Sequence, residues 1–295
     1  MLLVAGAVML IAASPATSQP HPDEDVRKSS VVWRSGCGVV IGRHRRVMQN
    51  MNMRRGVSRR GLLGALGSAM LGYGGRAWAQ GKAFEVKWVG ASRDVTRGDL
   101  TPKISLESLR QLRNLYAIGP PEALRGEITI VDSHPSVSTV ENGRIITDHS
   151  FRHRALFLVW AEVPGWHEIP VPRTVSTYRD VETFVAGVAR GTGLDITRPL
   201  PFRLRGSVAR LNFHIFNKRD DAPHSPDAHE RIKARFAMED VVAEMLGFWS
   251  DKHEGIFIPS GRSAHIHFRT ADSTVTGHVD DLELRSGSVL ALPQS

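Results

Sequence analysis

Apolar positions along this chain come in short blocks, and the spacing within each block predicts an element. Over residues 105–118, Leu106, Leu109, Leu112 and Leu115 recur at helical spacing, and Gly119-Pro120-Pro121 stops the pattern. Residues 124–131 are rich in β-branched side chains and run into Asp132-Ser133, which predicts a strand followed by a turn. Residues 154–162 form a continuous apolar run of strand length, which predicts a strand buried on both faces and closed by Pro164-Gly165. Within residues 177–190, Val181, Phe184, Val185 and Val188 share one stripe. A helix is predicted there, with Ser176 or Thr177 as N-cap and Gly191 at its end.

Past residue 200 the pattern turns to short alternating strands, including 208–216 and 264–270, with one long polar loop over 218–230. Few helices and many strands, with no internal repeat, place the chain in the α+β class with sheet dominant. Residues 80–295 are enough for one sizeable core or two small packed lobes.

Composition changes this picture only through its charge. The whole chain holds 38 Lys and Arg against 30 Asp and Glu, but the first 79 residues hold 11 of those bases and only three of the acids. The remainder carries 27 of each, so no basic surface for nucleic acid is expected once that segment is set aside. Within it, Arg59-Arg60 precede the apolar, Gly-rich run 61–71, which is too short to span a bilayer, and Ala77-Trp78-Ala79 offers small residues to a signal peptidase. The expectation is a twin-arginine signal peptide over 48–79, cleaved after Ala79, and a periplasmic mature chain 80–295 with no membrane anchor. Met48, Met51 and Met53 stand just before the arginines. Translation is expected to start at one of them, leaving 1–47 as an upstream segment. Cys37 lies there, so the mature chain lacks cysteine, which excludes disulfides, thiolate metal sites and cysteine nucleophiles.

A metal site must then be built from nitrogen and oxygen. His265 and His267 sit at i and i+2 on a predicted strand and so face one side, with Ile266 and Phe268 facing the other. If the chain turns at Asp272-Ser273, His278 falls directly opposite His267 on the same face. Three imidazoles with an open position describe a catalytic zinc site better than a structural one, and other divalent ions of the same series also bind three histidines. Gly277 is the place where a bulge would shift this register. Asp280 and Asp281 could accept a ring N–H, although a charged turn is the commoner explanation, and His214, His224, His229 and His253 receive no role.

The segments Leu115-Tyr116-Ala117-Ile118-Gly119, Gly126-Glu127-Ile128-Thr129, Phe202-Arg203-Leu204-Arg205-Gly206 and His265-Ile266-His267-Phe268, followed by Gly277-His278-Val279, resemble the α-acetolactate decarboxylase family in residue type and order. The resemblance spans roughly residues 105–283. It implies a zinc-dependent lyase that converts 2-acetolactate, a 2-hydroxy-3-oxo acid, to acetoin and CO₂. It also implies a two-lobed fold of mixed and antiparallel sheets (80–200 and 201–295) and a homodimer. By position, His265, His267 and His278 would hold the zinc, Glu127 would reach the bound substrate, and Arg203 would contact it. Arg205 shares a strand face with Arg203, and the resemblance alone prefers the latter. The family pattern adds a glutamate from a tail beyond the point where this sequence stops, at Ser295. Two other readings stand beside it: a different exported three-histidine metal enzyme, hydrolytic or isomerising, on the same scaffold, or a non-catalytic periplasmic binder of metal or a small hydroxy acid.

Overall fold

The computed structural model describes residues 84–294. The expected upstream segment, the signal peptide, its cleavage point and Cys37 all lie outside the described residues. The first sheet is built from β1 (Val86–Val89), β3 (Leu115–Gly119), β4 (Arg125–Val131), β5 (His134–Glu141), β6 (Arg144–Asp148) and β8 (Leu158–Glu162), in the order β1-β8-β3-β4-β5-β6. A short helix, α1 (Ser92–Thr96), follows β1, and β2 (Ile104–Ser105) pairs only with β7 (Arg154–Ala155). The predicted turn at Asp132-Ser133 is a two-residue hairpin with both residues at positive φ, 52° and 62°. That geometry matches the twist of the strands it joins.

Two expectations are corrected here. No helix forms over 105–118: Leu106–Leu109 is a single 3-10 turn, and Leu115–Gly119 is a central strand buried at every position. The leucines recur every three residues, which is the 3-10 period rather than 3.6. Asn114, at a φ of 52°, then breaks the chain, and pairing with β8 and β4 takes the rest. Gly119, expected as a helix stop, is needed for close approach, since a Cβ there would lie 2.3 Å from the Phe157 carbonyl oxygen. The run 154–162 is likewise two strands, β7 and β8, serving different sheets.

The second sheet contains β9 (Trp166–Pro170), β10 (Leu200–Asn217), β11 (Lys233–Trp249), β12 (Ala264–Thr270), β13 (Thr276–Leu284) and β14 (Val289–Pro293). Strands β10, β11, β12 and β13 pair in that order, and β13 returns to β10, so the four close on themselves. Every ladder between named strands is antiparallel, and β4 joins the two groups of strands into one twelve-stranded sheet by pairing its Gly126 and Arg125 with Phe216 and Asn217 of β10. α2 (Tyr178–Gly191) forms as predicted, with Thr177 as N-cap in a capping box with Asp180. Its buried face, Val181, Val185 and Ala189, packs with Phe202, Phe213, Ile266 and Phe268 of the second sheet. Glu182 of α2 accepts hydrogen bonds from the backbone N–H groups of Ser263 and Ala264, fixing the start of β12 next to His265. The polar stretch after β10 carries one short helix, α3 (Pro226–Arg231), capped by Ser225 with Pro at its first turn.

Candidate metal centre

β12 alternates as its pattern predicts. Ile266 and Phe268 join the core against α2, while His265 and His267 point to the opposite face with Leu246 and Phe248, their β11 partners. The turn after β12 is a four-residue loop between Thr270 and Val275, and the ladder pairs His267 directly with His278. Gly277 hosts no bulge. It is opposite Phe268 in regular register, where a Cβ would come within 2.7 Å of the Phe213 ring.

The three rings converge. Nε2 of His265 lies 3.1 Å from Nε2 of His267 and 3.0 Å from Nδ1 of His278. Ligands at 2.0 to 2.1 Å around a tetrahedral ion would be separated by about 3.3 to 3.4 Å, so only a slight opening of this cluster is needed to hold one. Burial drives all three imidazoles toward their neutral form, His265 to about 3 and His267 and His278 well below the usual value. Neutral rings present lone pairs, which is what a cation requires.

One of those lone pairs is fixed by a hydroxyl chain. Thr129 Oγ1 lies 3.1 Å from Nδ1 of His267 and 2.6 Å from Thr276 Oγ1, which also touches the Phe268 carbonyl. The carbonyl can only accept, so it takes the single Thr276 hydroxyl proton. Thr129 then donates to Thr276 and accepts from Nδ1–H of His267. The ring is thereby held with Nε2 unprotonated and facing the other two nitrogens, the arrangement that orients metal-binding histidines.

Glu127 is two residues before Thr129 on β4 and faces the same way. Its Oε2 is 3.6 Å from Nε2 of His267, and its Oε1, 3.9 Å from Nε2 of His214, has no hydrogen-bond partner. Burial pushes the Glu127 carboxyl well above the ordinary carboxylate range, against the Phe216 backbone amide, the strongest influence the other way. His214, to which the sequence gave no role, stands directly opposite His278 on β10 with ring centroids 4.5 Å apart. Asp280 lies 2.7 Å from its Nδ1. The register changes between Asn212↔Asp281 and Phe213↔Val279, which makes Asp280 the extra residue of a β-bulge turned toward His214. Neither aspartate sits in a turn: Asp280 serves His214 rather than His278, and Asp281 is exposed.

Arg203 is not part of this cluster. Its row across the sheet runs from His267 through Leu246 to Arg203, two strand spacings or roughly 10 Å away. Its guanidinium pairs with Glu244, which also binds Arg269, and lies over the rings of Tyr116 and Trp166 at 5.5 and 5.4 Å. Arg205, the other candidate on that face, pairs with Glu168 at the surface. Local sequence could place both arginines on one face but could not say what covered it.

The cluster opens into a cavity of about 510 Å³. His265, His278, Glu127 and His214 line it together with the apolar rings of Phe157, Phe216 and Phe257. Further lining comes from α1 and its C-cap, from α3, from the start of β11 and from the loop before β12, among them Arg93, Arg97, Glu230, Lys233 and Ser260. Apolar walls around a few convergent polar groups with displaced pKa values are the usual makeup of a small-molecule site.

Comparison with known proteins places the chain by family and fold. The alpha-acetolactate decarboxylase family pattern matches residues 92–293. Among solved structures, alpha-acetolactate decarboxylase from Bacillus subtilis strain 168 superposes with a TM-score of 0.58 at 16% identity, covering 72% of this chain and 86% of that one. A Staphylococcus aureus protein of unknown function, described as similar to alpha-acetolactate decarboxylase, gives 0.57 at 14% identity, covering 71% and 84%. No curated protein matches the sequence. At these identities the structures establish a shared fold. The family match takes in β3, β4, β10 and the histidine hairpin in one continuous span, and on that ground the chain belongs to the alpha-acetolactate decarboxylase family.

Proposed function

We propose that this protein decarboxylates 2-acetolactate to acetoin and CO₂ with a zinc ion held by His265, His267 and His278. The observation that supports it most is the meeting of three neutral imidazole nitrogens beside a buried carboxyl group that favours its proton. A divalent ion bound there would supply Lewis-acid stabilisation, worth several kcal/mol, for the negative charge left on the substrate when CO₂ departs. The protein's own groups do the rest. Glu127 holds a proton within the cavity, ready for the carbon that has lost CO₂, which is the task of a general acid. Phe157, Phe216 and Phe257 exclude water, so that proton and that charge are not dissipated into solvent. The Thr129–Thr276 chain keeps His267 in the tautomer the reaction needs.

Elemental analysis of the purified mature protein, run beside an acetoin assay on racemic acetolactate, tests both halves. About one zinc per chain and acetoin formation are expected. Zinc-loaded protein that forms no acetoin would refute the reaction while leaving the metal site standing. Glu127→Gln should bind zinc normally yet lose about a hundredfold or more in kcat. Export by the twin-arginine route to the periplasm, supported by Arg59-Arg60 and the Ala77-Trp78-Ala79 end, belongs to the same reading, as does a homodimer, supported by the family resemblance. Cell fractionation and light scattering test these two.

A further inference from the structure

Arg203 does not line the cavity, so a cation for an anionic substrate must come from the lining itself. Three basic residues are there: Arg93 and Arg97 on either side of Val95 near α1, and Lys233 at the first position of β11. The Arg93 side chain is 56% exposed and Arg97 is also open to solvent, so water and salt screen their attraction for a ligand inside. Lys233 differs. Its side chain is 15% exposed, and the ladder sets it directly across from Phe216, two residues along β10 from His214. Its nearest counter-charge is Glu230. That carboxylate also binds Arg235, at 2.6 Å, so one acid serves two bases and the trio keeps a positive charge in excess. Glu127, His214, His229 and His278 all feel the Lys233 ammonium.

We propose that Lys233 is the carboxylate anchor of the site, selecting small anionic 2-hydroxy acids over neutral molecules of the same shape. The identity of the natural substrate rests on the decarboxylase reading; the charge preference does not. A consequence follows for turnover. The carboxylate leaves as neutral CO₂, so a group that pairs with it holds the substrate more tightly than either the transition state or the neutral product. Lys233 should therefore govern KM rather than kcat, and its partner disappears as the product forms, which favours release.

The test measures binding by calorimetry of 2-hydroxyisobutyrate and its neutral amide, 2-hydroxyisobutyramide, to zinc-supplemented wild type, Lys233→Met, Lys233→Arg, Arg93→Met and Arg97→Met. Wild type should prefer the acid. Lys233→Met should lose about tenfold in affinity for the acid and nothing for the amide, while Lys233→Arg keeps most of the preference. In acetoin turnover, Lys233→Met should raise KM about tenfold with kcat unchanged or higher. A wild type that treats acid and amide alike, a Lys233→Met variant that loses both equally, or a preference abolished by Arg93→Met or Arg97→Met instead would overturn the assignment. Absence of acetoin with the Lys233-dependent preference intact would overturn the decarboxylase reading alone.

Discussion

Replacing Thr129 with valine probes the hydroxyl chain behind His267 with almost no change in volume. The side chain is buried, and its oxygen accepts from Nδ1 of His267 at 3.1 Å. In the metal-free protein the loss is partly recoverable. The imidazole can move its proton to Nε2, which lies 3.1 Å from Nε2 of His265 and can donate to it. With zinc bound that escape is closed, because Nε2 must give its lone pair to the ion, and the buried Nδ1–H loses its hydroxyl acceptor and keeps only the Ile128 backbone contact. Loss of a buried partner costs about 1 to 3 kcal/mol. Most of that should appear in the metal-bound state, a loss of about 10- to 100-fold in zinc affinity, which is also the usual effect of removing such a support. Competition with a chromophoric chelator measures it directly, and melting with and without zinc separates the metal effect from general destabilisation. Thr129→Ser restores the hydroxyl and should recover most of the affinity. Wild-type zinc affinity in Thr129→Val, or a serine variant as weak as the valine one, would refute the argument.

Other outcomes follow from the same geometry. Unfolded histidine takes up a proton near pH 6.5, whereas buried His265 resists to about 3 and His267 and His278 are also depressed. In a Glu127→Gln background, which removes the opposing effect of a carboxyl whose raised pKa stabilises less as pH rises above about 4.5, metal-free stability should thus be full above about pH 6.5 and fall as pH drops toward 3, each ring contributing up to about 1.4 kcal/mol per pH unit. Urea midpoints that stay flat between about pH 7 and 5 would contradict this. Gly277→Ala forces a Cβ within 2.7 Å of the Phe213 ring and should cost about 1 to 3 kcal/mol while displacing His278, read as a lower Tm together with weaker zinc binding. Arg203→Met should keep kcat/KM within about threefold of wild type yet lower stability by about 1 to 2 kcal/mol, since Glu244 retains Arg269. A loss of activity far beyond the loss of stability would return Arg203 to the site.

How much of this was legible in the sequence depended on the distance between the residues involved. The histidine hairpin is local: a period of two and a turn centred on Asp272-Ser273 fix which rings meet, and the four-residue loop that forms keeps that register. Thr129 and His267 are 138 residues apart, and His214 reaches His278 only through the non-local β10–β13 ladder. No short-range pattern encodes such pairings. The alternation Phe213, His214, Ile215, Phe216 did mark His214 as facing away from the core residues Phe213 and Ile215, but which strand it would meet was set by tertiary packing. The leucine repeat failed for a different reason. Its spacing of three suits a 3-10 turn as well as one side of a helix, and pairing in a buried sheet decided between them.

The extra residue at Asp280 has a consequence for the whole domain. Up to that point β13 sends odd-numbered Val279 into the interior; beyond it, even-numbered Leu282 and Leu284 take the interior positions. A single residue thus inverts the phase of the strand, letting one segment turn His278 toward the other histidines and supply hydrophobic packing farther along. Deleting Asp280, or duplicating a neighbour, would force a choice between burying those leucines and keeping His278 aimed at its partners. At Asp280 itself a change of length by one should therefore cost more than a point substitution.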